Sequence, residues 1–450
     1  MNRAEDRMPN LFAGAASVLL GDGQEGTENS DARLLLQALG YAIPAEPDAQ
    51  TRHRANLLKV ASRFARVFEL AAPDAPGLVG LGAEFDPSLA DPIHSGQALV
   101  GVSGVGLSLQ DAFQGCIGEG IEYLSQLQAT GDALEPDPGD AAARLGPQAR
   151  EFLASFLAYR LSPDAKLSWH RTTRLTDGRE VLLPADLCVR RPLDRQEVKS
   201  PFPLSTGSAA GRSWDAAALH GLLEWIERDA ASLWWQGGNP GKSVRPGDEA
   251  EIMARTLLAE LRQGATVRRS RLLDITTDIG IPCVASISCG ADGFGVAFGL
   301  AARPTLKAAV RSAVLEMCQI EMAHAVVEAK LRERGEAAFN EKDRIHQRRA
   351  TMLNADRCLL LQPGPERARH LAIGSTDPEA VLRRIVNRLA QFGIEVVGLD
   401  LTRARLSVPA ARVIAPGLQP WPSEIVTPRL ADMIARTGGG ATYTGGIALI

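Results

Sequence analysis

Glu119 and Glu122, Glu224 and Glu227, and Glu316 and Gln319 are three pairs of polar residues, each pair three positions apart, and Arg228 directly follows the second pair. On a helix, positions i and i+3 share a face, so each stretch aims two polar groups in one direction. Carboxylates gathered from three helices need cations to be stable. Such a pocket suits Mg2+ and nucleotide phosphate, reached without a P-loop.

The elements that must position these residues are written around them. GVSGVGLSLQDAFQGCIGEGIEYLS runs from a glycine-rich strand into a helix, with Ser108 and Asp111 spaced as a capping box. STGSAAGRSWDAAALHGLLEWIERDA repeats the design with Ser213 as N-cap, and Thr305 opens TLKAAVRSAVLEMCQIEMA. A single Glu pair at this spacing is common on exposed helices. Here the first two helices are otherwise apolar and leave few positions for a solvent face. A carboxylate on a largely buried helix needs a partner or a metal, so the three helices favour one shared site.

Other motifs do not carry chemistry. GGNPGKS at 237–243 imitates a P-loop, but Gln236 stands where the first glycine is required and a helix precedes it where a strand is needed. Lys242 therefore reads as a loop residue. GVSGVG at 101–106 has the glycine order of a dinucleotide fingerprint reversed. Cys188 and Cys318 lack an adjacent base, and His220 and His324 read as core histidines on apolar helices. The Trp234–Trp235 pair reads as core.

The chain has 450 residues, 45% apolar and 23% charged, with a formal charge of −4. That gives no electrostatic footprint for nucleic acid. The N-terminus lacks a signal-peptide core, and no apolar run is long enough to span a membrane. Six cysteines without CxxC spacing suit free thiols in a reducing cytosol, so a cytoplasmic location is expected. Seven dispersed histidines exclude HExxH chemistry.

Residues 1–29, polar and without period, are expected to be unstructured. A helical region at 30–94 follows, from DARLLLQALGYA and TRHRANLLKVASRFARVFELAA, ending in a Pro/Asp/Gly-rich loop from Ala72 to Ser95. Residues 95–450 are expected to form one large α/β domain that carries the acidic helices. Its helices include PQAREFLASFLAYRL, GDEAEIMARTLLAELRQGA and DPEAVLRRIVNRLAQFG, and its strands include TVRRSRLLDITTDIGIPCVASISCG, DGFGVAFGLAA, EVVGLDL and AARVIAP. RERGEAAFNEKDRIHQRR reads as a solvated helix end and linker. TGGGATYTGGIALI reads as flexible.

The first acidic segment resembles the first signature helix of the YcaO family, the second resembles its ExxER signature, and AAVRSAVLEMCQIE is similar to its ExxQ signature. RLSVPAARVIAPGLQP is similar to the family's late strand and Pro-Gly turn. The resemblance covers residues 95–425. It implies an α/β fold of the YcaO type with a non-P-loop ATP and Mg2+ site, preceded by a small helical N-terminal region. It implies Mg2+ ligands at Glu119, Glu122, Glu224, Glu227 and Glu316. Nucleotide contacts are implied at Arg228, Gln319, Ser208, Arg212 and Arg311. No side chain stands out as general base. Gly115, Val105, Tyr123, Ala216 and Ser312 depart from the family pattern, at positions usually holding serine, lysine, arginine, a polar residue and arginine.

The activity so implied is ATP-dependent phosphorylation of peptide amide oxygens in a ribosomally made precursor peptide, forming thiazoline or oxazoline from Cys, Ser or Thr. Alternatives are thioamide or amidine formation, or an inactive scaffold in a modification complex. Implied partners are a leader-bearing precursor peptide and a separate E1-like leader-binding protein, since the ~95 residues before the first signature are too few for a fused one. An FMN dehydrogenase that oxidises azoline to azole would fit beside them. Neither nucleic acid nor membrane is expected.

Overall fold

The computed structural model describes residues 7–22, 28–136, 139, 141–163, 166–364 and 368–449. Helices α1 (Arg7–Leu20), α2 (Glu28–Ala38) and α3 (Ala49–Ala61) lead into an antiparallel sheet of β1 (Arg66–Leu70), β2 (Val79–Phe85) and β3 (Val100–Gly106). Helix α4 (Leu109–Gln126) follows β3 directly. Strands β4 (Glu135–Pro136), β5 (Ser168–Arg174), β6 (Glu180–Pro184) and β7 (Ser208–Ala210) are interspersed with α5 (Pro147–Leu157) and α6 (Ala185–Cys188), and β7 feeds α7 (Trp214–Trp235). Next come β8 (Lys242–Ser243), α8 (Glu249–Arg262), β9 (Arg269–Asp274), β10 (Cys283–Cys289) and β11 (Ala297–Ala302), which feeds α9 (Leu306–Arg334). The chain closes through α10 (Glu341–Met352), α11 (Pro378–Ala390), β12 (Val397–Asp400), β13 (Ala410–Ile414), α12 (Pro428–Thr437) and α13 (Ala441–Thr444).

The strands form three sheets, ordered β1-β2-β3, β4-β5-β12-β13-β7 with β6 beside β5, and β11-β10-β9-β8. Strands β3, β7 and β11 each lie at one end of their sheet, and each enters an acidic helix. Helix α4 packs on β3 and β7, α7 on β7 and β11, and α9 on β11 and β3. Three edge strands and three helices thus close a ring, which covers the edges that would otherwise be open to pairing.

Local chemistry builds each corner alike. The side-chain oxygens of Ser108, Ser213 and Thr305 accept from the backbone N–H of Asp111, Ala216 and Ala308 at 3.1, 3.2 and 3.2 Å. Each cap contributes about 1 kcal/mol and starts its helix at a set residue. Close helix-on-strand approach needs glycine. A Cβ on Gly104 of β3 would lie 2.1 Å from the Cys116 backbone nitrogen, and one on Gly299 of β11 would lie 2.0 Å from the Ala313 carbonyl oxygen. Helix α7 is held in rotation by three buried tryptophans. Trp225 Nε1 donates to the Val413 carbonyl at 2.7 Å, Trp234 to Leu360 at 2.9 Å and Trp235 to Ile447 at 2.8 Å. The tryptophan pair is core, as expected.

Several expectations are corrected. Within 1–29, residues Arg7–Leu20 form a helix because Phe12, Ala15 and Leu19 bury against α3 and the Phe113 ring; residues 1–6 and 23–27 lie outside the described ones. ARVFELAA is not a helix end: Val67 and Leu70 fit a helical spacing, but Arg66–Leu70 pairs with β2, with Arg66 opposite Glu84. The 72–95 loop contains β2. Residues 30–94 are therefore not only helical, and the boundary at 95 would cut one sheet. The charged stretch after α9 is anchored by the Lys330–Asp343 ion pair at 2.8 Å and by Arg349, which is buried over the Phe298 ring. In the C-terminal tail Ile447 and Leu449 are buried, and Leu449 accepts from Arg349. Lys242 lies in a short strand rather than a loop.

Candidate active site

Four of the five carboxylates are brought to one ring by one device, and Glu122 shares the α4 face of Glu119. Each helix's first glutamate stands eleven residues after its cap and accepts the backbone N–H of the strand that feeds the helix. Ser103 donates to Glu119 at 3.0 Å, Gly207 to Glu224 at 2.9 Å and Leu300 to Glu316 at 2.9 Å. On α7 and α9 the polar group three residues further on reaches the next strand in the ring. Glu227 accepts the Ala302 N–H at 3.2 Å, and Gln319 Nε2 donates to the Ser103 hydroxyl at 3.0 Å. An edge strand has N–H groups free of ladder partners, and the glutamates are what they bind.

Glu122, Glu224, Glu227, Arg228, Ser208 and Arg303 line a cavity of about 320 Å3, with His220 and the Gly118 and Ala209 backbone completing its wall. Arg228 Nη2 lies 3.4 Å from Glu224 Oε1, while its Nε is buried with no partner among the described residues. Burial pushes the Glu227 carboxyl up to about 8, against the pull of Arg228 and with repulsion from Glu316 and Glu224. Burial, then repulsion from Glu224 and Glu119, raises Glu122 well above the usual carboxylate range. Glu316 is likewise raised by burial, with Arg228 opposing. Burial works against the Arg228 charge, but Glu224, Glu227 and Glu316 outweigh it and its pKa rises. The pocket is thus short of positive charge, with an orphaned donor and acids that repel one another.

That donor set fits a hard cation and phosphate. Among the described residues, no three His, Cys, Asp or Glu side chains converge closely enough to hold one ion in a protein cage. The acids are instead held apart on the walls by strand N–H groups. Mg2+ characteristically takes one or two carboxylates and completes its shell with water and phosphate oxygens, so walls of this kind suit ions shared with a polyphosphate.

The remaining expectations divide. Ser208 lines the cavity, and its hydroxyl accepts from Arg412 Nη1 at 3.2 Å. Glu119 is exposed beside the Gly118 wall. Arg212 and Arg311 are exposed and outside the cavity lining, and Arg311 lies 4.0 Å from Asp111. Cys188 and Cys318 are buried, with burial pushing each thiol up to about 12, which excludes a reactive thiolate. His220 is not core: it is exposed and faces the acids. Sequence reasoning also passed over Arg303, Arg190 and Arg412. Arg303 stands just before the Thr305 cap, as Arg212 stands before Ser213, and that likeness was the available signal. Arg412 is buried in β13 and donates to the carbonyls of Leu187, Leu204 and Thr206, fixing the turn into β7. Nothing local in the sequence marks it.

The larger cavity, about 980 Å3 at the far end of α7, does not share this chemistry. Its Arg388 and Arg436 lie in the last turns of α11 and α12, where cations offset the helix dipole. Its Arg429 is committed to Asp229 and Asp278 at 2.9 and 2.7 Å.

Comparison with known proteins speaks to the family and the fold. A family described as YcaO cyclodehydratase, ATP- and Mg2+-binding, matches residues 103–419. An uncharacterized protein of Methanothermobacter thermautotrophicus is 29% identical over 266 residues, which is 57% of this chain and 66% of that protein. Among solved structures, a heterocyclase in complex with substrate and cofactor aligns with a TM-score of 0.64 at 20% identity, covering 87% of this chain and 55% of that one. YcaO from Methanopyrus kandleri bound with AMPPCP and Mg2+ aligns at 0.55 and 19% identity, covering 82% and 89%. The E. coli microcin synthetase McbBCD complex aligns at 0.55 and 15% identity, covering 76% and 84%. At these identities the structures establish the fold, and the chain spans only about half to two thirds of the heterocyclase and the archaeal relative. With the family matched over most of its length, the chain belongs to the YcaO family.

Proposed function

We propose that this chain uses ATP to activate backbone amides of a ribosomally made precursor peptide, closing thiazoline or oxazoline rings from Cys, Ser or Thr. The observation that carries the reading is the ring of edge strands, whose N–H groups hold Glu119, Glu224 and Glu316 around a cavity with an unsatisfied Arg228. Family membership supports it, since the family is described as ATP- and Mg2+-binding.

An amide oxygen is a poor leaving group, so ring closure needs it made into a phosphate ester. The substrate's side-chain oxygen or sulfur attacks the preceding carbonyl, the oxygen so freed takes the γ-phosphoryl of ATP, and ADP departs. Phosphate is then expelled as the ring double bond forms, so each ring consumes one ATP and loses one water overall. Phosphoryl transfer of this kind depends on positioning and charge neutralisation. Glu119, Glu122, Glu224, Glu227 and Glu316 would hold Mg2+, which neutralises and orients the phosphates. Arg228 and Arg303 offset phosphate charge from the protein side, and Gln319, fixed by Ser103, orients a polar group at the rim. A separate leader-binding E1-like protein and an FMN dehydrogenase fit this reading as partners.

A second reading has its own observation. Val105 and Tyr123 are packed apolar residues, so two charges usual in resembling sequences are absent from those positions, as expected for a scaffold subunit. Mass spectrometry of the precursor peptide incubated with ATP, the chain and its partners separates the outcomes. A loss of ~18 Da per ring is expected for azoline, a gain of ~16 Da would indicate thioamide, and no change with no ATP consumed would support the scaffold.

A further inference from the structure

Arg190, outside the three helices, stands next to Glu122 on the α4 side of the acidic site without itself lining the cavity. It follows α6, and its backbone is tied to the end of α4: its N–H donates to the Gln126 carbonyl at 2.7 Å and its carbonyl accepts from Gln128 at 2.9 Å. Its Nε donates to Gln126 Oε1 at 2.7 Å, and its guanidinium lies over the Tyr123 ring, 5.2 Å from the centroid. Gln126 in turn reaches Glu122 Oε1 at 3.5 Å. The pose is therefore set from three sides.

Arg190 forms no ion pair among the described residues, and its two terminal nitrogens carry no hydrogen bond there. Glu122 acts on it only through space. Burial disfavours the Arg190 charge by more than Tyr123 and Glu122 favour it, so its pKa is lowered, yet a guanidinium stays charged in proteins. A half-buried, stacked guanidinium with its fork free is suited to bidentate capture of an anion. The backbone ladder already pins the segment, so anchoring alone gives these two nitrogens nothing to do.

We propose that Arg190, seated on Tyr123 and aimed by Gln126, binds the phosphate chain of the nucleotide in this site. The assignment rests on the nucleotide reading above. It also accounts for Tyr123, which stands where resembling sequences carry an arginine. The guanidinium arrives at the same helical turn from another element, and the ring is its platform.

Calorimetric titration of the full chain with ADP and with adenosine, Mg2+ present, tests this. Arg190→Gln is expected to bind ADP about 10- to 100-fold more weakly, with adenosine affinity unchanged. Adding Tyr123→Arg to Arg190→Gln is expected to recover most of the lost ADP affinity. Wild-type ADP affinity in Arg190→Gln, or equal weakening for ADP and adenosine, would overturn the assignment. If Arg190→Gln does not fold, Arg190→Lys decides: it keeps the ladder and the charge but not the planar fork. Its ADP binding should weaken severalfold with adenosine unchanged, and unaltered ADP affinity would overturn the proposal. A wild-type chain that binds no ADP would overturn the nucleotide reading itself, whereas normal wild-type binding with an unaffected variant removes Arg190 alone.

Discussion

Gln319 and Ser103, on α9 and β3, meet side chain to side chain at 3.0 Å although 216 positions separate them. The same Ser103 gives its backbone N–H to Glu119. One residue thus fixes a polar group from the third helix and a carboxylate from the first, and it closes the ring between them.

Ser103→Ala removes the hydroxyl and leaves the N–H to Glu119. We predict a stability loss of no more than about 1 kcal/mol, the value of one partly exposed hydrogen bond. ATP consumption in the assembled complex should fall about 5- to 20-fold as Gln319 loses its tether. Chemical denaturation and steady-state kinetics check the two parts separately. Unchanged turnover would remove Gln319 from the site.

Much of this site could be read in the sequence, because the i, i+3 pairs and the Ser, Ser and Thr caps are local signals. Glu122, Glu224, Glu227 and Arg228 do line one cavity, and Glu119 and Glu316 are tied to the strands around it. What escaped reading depends on partners distant in sequence. Arg190 is held next to Glu122 only through Tyr123 and Gln126, and Arg412 is placed only through a turn two hundred residues earlier. β1 reads as helix in the sequence because its apolar spacing suits both periods, and β2 decides between them. The tail looked flexible because its many glycines hide the burial of Ile447 and Leu449.

Glu227 makes stability depend on pH. Its folded pKa of about 8 lies above the unfolded value near 4.5. Below both values the carboxyl is neutral in either state; between them only the unfolded state ionises. Stability without Mg2+ is therefore predicted to fall as pH rises from ~4.5 to ~8, by a few kcal/mol at most, and then to level off. Urea denaturation at pH ~5.5 and ~8.5 should show this decline in the wild type and a smaller one in Glu227→Gln. Equal declines would show that Glu227 is not the group responsible.

Gly104→Ala would place a Cβ 2.1 Å from the Cys116 nitrogen, in backbone that cannot yield without moving α4 off β3. We predict a loss of about 3 kcal/mol or more, from overpacking and the helix shift. Gly118→Ala, on the same helix with open space at its Cβ, should hold or raise stability, by up to about 1 kcal/mol, because alanine suits a helix interior better than glycine. Thermal melts of the two variants compare them, and similar melting temperatures would contradict the close packing of α4 on β3.

Asp229, the residue after Arg228 in α7, is buried and held by Arg429 at 2.9 Å. Asp229→Ala leaves Arg429 paired only with Asp278 and frees the Gln419 N–H it had accepted. A destabilisation of about 3–5 kcal/mol is predicted, the usual cost of breaking a buried pair from one side. Denaturant midpoints test it, and a loss below about 1 kcal/mol would place Arg429 chiefly on Asp278.

The claim that three helices build one Mg-nucleotide site is met most directly by titrating the purified chain with a non-hydrolysable ATP analogue, with and without Mg2+. The titration is repeated for Glu122→Gln, Glu227→Gln and Glu316→Gln, one from each of the three helices. Wild-type binding is predicted to require Mg2+, and each variant is predicted to lose at least about tenfold in affinity, including the α9 variant. Binding that ignores Mg2+, or that survives unchanged in any one of Glu122→Gln, Glu227→Gln and Glu316→Gln, would contradict a site shared by all three corners of the ring.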